Sequence, residues 1–232
     1  VMGDFGTALI FFVTFLVVSF LRSGDLSRLI LTGVGAGIMG LMILRFMPYI
    51  ADRFSIWGHV WDDPADKGYQ QVRTMCYSAG GGLLGQGAGN GYLKTVGASN
   101  TDLVFGMVTE EWGLIIALLL IVCIITLCLF AVNSIVAGRS TFYTIGACGA
   151  STFFLFQTML NVFGAVDLFP LTGVTFPFVS AGGTSMMASW AILAFFKAAD
   201  MRKDASIAIK RSKVKVSLQD YAEETDEDAE EV

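Results

Sequence analysis

Five stretches of nearly unbroken apolar residues alternate with polar segments: Phe5 to Leu21, Leu29 to Leu44, Trp112 to Val132, Phe142 to Phe163 and Thr184 to Ala199. Crossing the hydrocarbon core of a bilayer takes roughly 17–25 residues of helix, so each run reads as a membrane span. The second and fifth are short, and the flanking Arg45 and Lys197 can snorkel to the interface. Gly33, Gly35, Gly37 and Gly40 leave one side of the second run bare, which suits close helix contact. The pattern predicts an all-α, polytopic helical membrane protein with about five spans and one large extracytoplasmic loop. Two spans fall in 1–50, the loop in 51–111, three spans in 112–200 and a tail in 201–232.

The loop opens with Trp57 and Trp61, which fit an interfacial aromatic anchor, and Val72 to Ala79 fits a short amphipathic helix. A second irregular stretch separates the fourth and fifth runs. It is apolar yet broken by Pro170, Gly173, Pro177, Gly182 and Gly183. Non-helical backbone at membrane depth is tolerated only where protein covers it or where it lines a cavity. Residues 165–183 therefore read as a re-entrant-like segment beside a lipid or substrate groove.

Composition agrees with the pattern. Of 232 residues, 54% are hydrophobic and 15% charged, against about 25% charged in soluble domains. An ordinary soluble enzyme, a disordered chain, a disulfide scaffold and a nucleic-acid binder are all excluded. The net charge of −5 arises from an acidic end, Asp220 to Val232, expected to be disordered. The basic stretch before it, Lys197 to Lys215, suits anionic headgroups. Arg22, Arg28, Arg139 and this basic stretch mark alternate connections as cytoplasmic, leaving Ala51 to Asp102 and the loop around Asp167 outside. The chain then starts outside with no signal peptide, and it reads as the C-terminal part of a longer membrane protein. Cys76, Cys123, Cys128 and Cys148 show no metal spacing and read as small buried hydrophobes.

Candidate chemistry concentrates in the loop. The run Gly80 to Gly91 lacks the lysine and spacing of a nucleotide loop. Its glycines suit a backbone pressed tightly against protein, lipid or a phosphate. Lys94, Asp102, Glu110 and Glu111 follow. On spacing alone Asp102 reads first as a helix N-cap, with Thr101 as an alternative, and then as a general base or cation ligand. Glu110 and Glu111 read as acids favoured at the start of the third span. His59 is the only histidine, so no triad or multi-histidine metal site is available within the chain.

Four ordered motifs resemble the SEDS (shape, elongation, division and sporulation) family, the FtsW/RodA/SpoVE group. They are Asp4-Phe5-Gly6-Thr7-Ala8-Leu9, then Gly68-Tyr69-Gln70 with the glycines through Gly89 and Lys94, then Thr101-Asp102-Leu103-Val104-Phe105 with Glu110-Glu111-x-Gly113. The last comprises Gln157, Asn161, Pro170-x-Thr172-Gly173 and Pro177-Phe178-x-Ser180-x-Gly182-Gly183-x-Ser185. Departures are a Lys94 to Asp102 interval two residues shorter than usual, without Pro-Glu and His, Arg73-Thr74 in place of Gln-Ser, and Ala181 in place of an aromatic.

The resemblance implies a multi-pass protein of the bacterial plasma membrane that polymerises peptidoglycan from lipid II beside a class B penicillin-binding protein transpeptidase. It moves Asp102 from cap to catalytic base. A base alone fits the chemistry, because a lipid diphosphate is already a good leaving group. Lys94 and Arg73 are the expected diphosphate cations, with Gly85, Gly87, Gly89, Ser180, Gly182 and Gly183 as further substrate contacts. A divalent cation, Mg or Mn, is an optional aid, with Glu110 and Glu111 as its candidate ligands. A lipid-linked precursor transporter and a non-catalytic scaffold are the alternative functions.

Overall fold

The computed structural model describes residues 5–136 and 141–201. Asp4, Arg139 and the basic-then-acidic stretch beyond residue 201 lie outside the described residues. Each apolar run forms a helix close to its expected bounds. Helix α1 spans Phe5–Ser23 and α2 spans Leu26–Phe46, capped by Asp25, whose carboxylate accepts from Ser27 N at 2.9 Å. Helix α3, Pro48–Ile56, starts on a proline pre-set for the first helical turn and lies partly where loop was expected. Then come α4 (Tyr69–Gly81), a 3₁₀ turn (Leu93–Thr95), α5 (Val104–Trp112), α6 (Leu114–Val136) and α7 (Thr141–Ala165). A final helix covers 183–201, and no strand occurs among the described residues.

Among the described residues, four helices, α1, α2, α6 and α7, are long and apolar enough to cross a membrane. The all-α, multi-pass character of the chain follows from them. The 183–201 helix is present but is not one of those four.

Helix α7 is the centre of the packing, with α1 against one side and α6 against another. Phe154, wholly buried on α7, meets Phe178 and Phe196, which ties the irregular segment and the final helix to it. Helix α2 has no buried residue, and Gly33, Gly35, Gly37 and Gly40 meet nothing within 4 Å among the described residues. Their bareness is not used for a contact inside this chain. Of the cysteines only Cys128 is buried, while Cys76 and Cys123 are exposed, so the expectation of uniform burial fails. Cys76 lies on the outer side of α4, and Cys123 on the unpacked side of α6, where side-chain size is not limited by neighbours.

The irregular segment 166–182 threads between α7, α1, α3 and the Asp102 turn. Gly6 of α1 is in contact with it: a Cβ there would sit 2.4 Å from Val174 and 2.8 Å from the Thr172 carbonyl. From α7, Gln157 Nε2 donates to the Thr175 carbonyl at 2.9 Å and Asn161 Nδ2 to the Val174 carbonyl at 2.7 Å. Trp57, just after α3, donates from Nε1 to the Leu168 carbonyl at 3.1 Å. Side chains thus satisfy carbonyls that have no helix of their own.

Candidate active site

The glycine run closes over the junction between α5 and α6. Gly113 breaks the helix there with φ +90°, so Glu110 and Glu111 end α5 and do not start the third span as expected. Both are buried, Glu110 completely, and both point back into the loop. Glu110 accepts from Tyr92 N at 2.7 Å through Oε1 and from Leu93 N at 2.9 Å through Oε2. Glu111 Oε2 accepts from Gly89 N at 3.0 Å. Carboxylates that accept backbone N–H groups make bonds roughly twice as strong as neutral pairs. These two therefore fix the loop's path into the 3₁₀ turn. Among the described residues, no group of three or more His, Cys, Asp or Glu is placed to hold a metal ion.

The loop glycines serve close backbone contact. At Gly85, φ is +80° and a Cβ would stand 2.3 Å from the Glu111 carbonyl, so no side chain fits. The N–H groups of Gly85 and Gly87 donate to the carbonyls of Gly81 (2.9 Å) and Glu111 (3.0 Å). The N–H groups of Gly85, Gly87 and Gly89 are thus engaged by protein, while the α-carbons of Gly82 and Gly89 are open among the described residues.

Asp102 ends a tight turn begun by Ala98, which adopts φ +63°. Asp102 N donates to the Ala98 carbonyl at 2.9 Å. It is not an N-cap: the cap position of α5 is Leu103, with no side-chain cap bond. The turn is fastened to the irregular segment and to α7 at three consecutive carbonyls. Ala181 N donates to Asn100 O at 2.9 Å, Ser180 Oγ to Thr101 O at 2.6 Å and Asn161 Nδ2 to Asp102 O at 2.9 Å. Ser180 also accepts from Phe176 N at 2.7 Å, so its hydroxyl is a two-way strut. Gly182 and Gly183 lead into the final helix, with Met186 N donating to Gly182 O at 2.8 Å.

The half-buried Asp102 carboxylate faces Gly173, with Oδ2 3.3 Å from where a Cβ on that glycine would lie. Arg53 Nη1 stands 3.9 Å from the same point, and its guanidinium also donates to the Leu171 carbonyl. A carboxylate and a guanidinium thus converge on one glycine at the edge of the irregular segment. A cavity of about 220 Å³ opens beside Arg53, lined also by Asp52, Ile56, Lys67, Gln70, Gln71 and Leu171. Asp52 accepts from Lys67 Nζ at 2.9 Å and holds the Lys67 amine above its ordinary range.

The cations named from the sequence are Lys94 and Arg73. Lys94 is exposed and donates to the Gly89 carbonyl, and Arg73 is exposed on α4 against tyrosine rings. Arg53 is the cation that faces Asp102, and the sequence reading missed it. Its one local signal is an arginine in a short helix just outside a span.

These features define a polytopic helical membrane protein with a carboxylate–guanidinium site at the mouth of its bundle. The "Cell cycle protein" family model of FtsW, RodA and SpoVE matches residues 1–204, and the chain belongs to that family. It is 33% identical over 190 residues to a probable peptidoglycan glycosyltransferase FtsW of Moranella endobia, covering 79% of this chain and 50% of that protein. It is 31% identical over 192 residues to the peptidoglycan glycosyltransferase RodA of Mycobacterium bovis, covering 82% of this chain and 41% of that protein. The chain thus spans about half the length of the curated relatives it matches. A solved structure described as "Structural coordination of polymerization and crosslinking by a peptidoglycan synthase complex" shares the fold. Its TM-score is 0.64 at 23% identity, over 87% of this chain and 56% of that one.

Proposed function

We propose that this chain carries the catalytic part of a peptidoglycan glycosyltransferase that polymerises lipid II at the outer face of the bacterial plasma membrane. The observation that carries the reading is the Asp102 carboxylate, held at the bundle mouth by three backbone fastenings and facing Arg53 across Gly173. The names of the relatives supply the reaction class. Residues 51–111 face outside and the C-terminal tail faces the cytoplasm.

In the reaction, Asp102 accepts the proton of the acceptor sugar's 4-hydroxyl as its oxygen bonds to the donor's anomeric carbon. The bond from that carbon to the lipid diphosphate breaks with its electron pair, and the diphosphate leaves without needing a proton. One displacement inverts the anomeric configuration. Arg53, beside the base, holds the diphosphate and offsets the charge it gains, with Lys94 as a second cation. Membrane lipids surround the spans, and a class B penicillin-binding protein transpeptidase is the partner that crosslinks the product.

Asp102→Asn in the full-length protein tests this. Loss of a positioned base lowers polymerisation of lipid II about 10²–10⁴-fold. Polymerisation at the wild-type rate overturns the assignment. Loss of lipid translocation alone points to a transporter, and full growth complementation by the variant points to a scaffold.

A further inference from the structure

The exposed side of α4 carries aromatic and cationic side chains that the site above does not use. Tyr69, Arg73 and Tyr77 recur every fourth residue, so they line one side of the helix at a rise of about 6 Å per step. The Arg73 guanidinium lies 5.4 Å from the Tyr69 ring centre and 5.9 Å from that of Tyr77. Its Nη1 donates to Tyr77 Oη at 3.3 Å. Tyr77 in turn meets Tyr92, with ring centres 6.2 Å apart and planes tilted by 33°. Tyr92 is 64% exposed, Tyr69 is also exposed, and exposed Lys94 stands two residues further on. No carboxylate pairs with Arg73 among the described residues. A guanidinium already held against two rings loses little freedom when it binds a ligand.

The strip is continuous with the site. Tyr77 packs on the cluster of Leu93, Val96 and Leu103, and Leu103 directly follows Asp102. We infer that this strip binds a saccharide chain bearing carboxylates, the growing glycan strand as it leaves Asp102. The inference rests on the glycosyltransferase reading. Tyrosine rings present flat apolar faces to the C–H faces of pyranose rings and phenol tips to their hydroxyls. Arg73 complements the carboxylates. The charge match and the continuity with Asp102 favour a glycan over a lipid headgroup or a protein surface.

The test uses the full-length protein in nanodiscs and soluble, uncrosslinked glycan oligomers cut from peptidoglycan, with binding read by intrinsic fluorescence. Tyr69→Ala and Tyr92→Ala each weaken oligomer binding about tenfold. Both shorten the strands made from lipid II while the initial coupling rate stays at wild type. Tyr92→Phe, which keeps the ring, retains binding and strand length. Unchanged binding and strand length in the Tyr69→Ala/Tyr92→Ala double variant overturn the inference. So does a defect confined to anionic vesicles or to a transpeptidase. Because oligomer binding needs no turnover, strip-dependent binding without polymerisation overturns the glycosyltransferase reading and leaves the saccharide site standing.

Discussion

Glu110 offers the sharpest test of how the site is held. Its side chain is 0% exposed, and its two oxygens accept from Tyr92 N and Leu93 N at 2.7 and 2.9 Å. Glu110→Gln keeps the size but turns one acceptor into an amide donor that faces another N–H. One bond to a charged acceptor is lost, about 1.5–3 kcal/mol. Glu110→Ala leaves both N–H groups without their acceptor and costs about 2–6 kcal/mol. A kcal/mol lowers the melting temperature of a domain of this size by roughly 2–4 °C. The Gln variant therefore melts roughly 3–12 °C below wild type, and the Ala variant lower still. Thermal unfolding of the detergent-solubilised full-length protein measures this. Glu111→Gln is the internal comparison: its amide oxygen can keep the one bond, to Gly89 N, so only the charge is lost and the melt shifts less. A Glu110→Gln protein that melts with wild type, or a Glu111→Gln protein that suffers more, refutes the loop-holding role.

Two further outcomes follow from the Asp102 surroundings. Gly173→Ala places a methyl 3.3 Å from Asp102 Oδ2 at φ +74°, strained by about 1–2 kcal/mol. Displacing the base lowers the lipid II turnover rate about tenfold or more, and an unchanged rate at saturating lipid II rejects the geometry. Asn161→Ala removes the donor shared by the Asp102 and Val174 carbonyls. It costs about 1–3 kcal/mol. Amide exchange then quickens in 100–103 and 173–175 together, and quickening in only one of the two segments refutes their coupling.

The spans were legible because apolar length alone specifies them: α1, α6 and α7 lie within a few residues of the runs that predicted them. The α5–α6 junction was not legible. Both sides are apolar, and the one break signal, Gly113, is a common residue whose positive φ appears only in three dimensions. The glutamates were consequently assigned to a helix start, and the cap reading of Asp102 failed for a similar reason, since the helix begins one residue later than spacing implied. Asp102 itself was found through a motif, not through its surroundings. Arg53 escaped because its carbonyl partner, Leu171, lies 118 residues away. Such a contact leaves no local periodicity.

Asn100, Thr101 and Asp102 each give their carbonyl to a donor from α7 or from the segment entering the final helix. The reference frame of the carboxylate is therefore set by the helix bundle as well as by the loop that carries Asp102 in the sequence. A tilt of α7 within the bilayer carries the carboxylate with it. The outer surface of the site thus has two mountings, one on the bundle and one at the end of α5, joined where Leu103 packs on Leu93 and Val96.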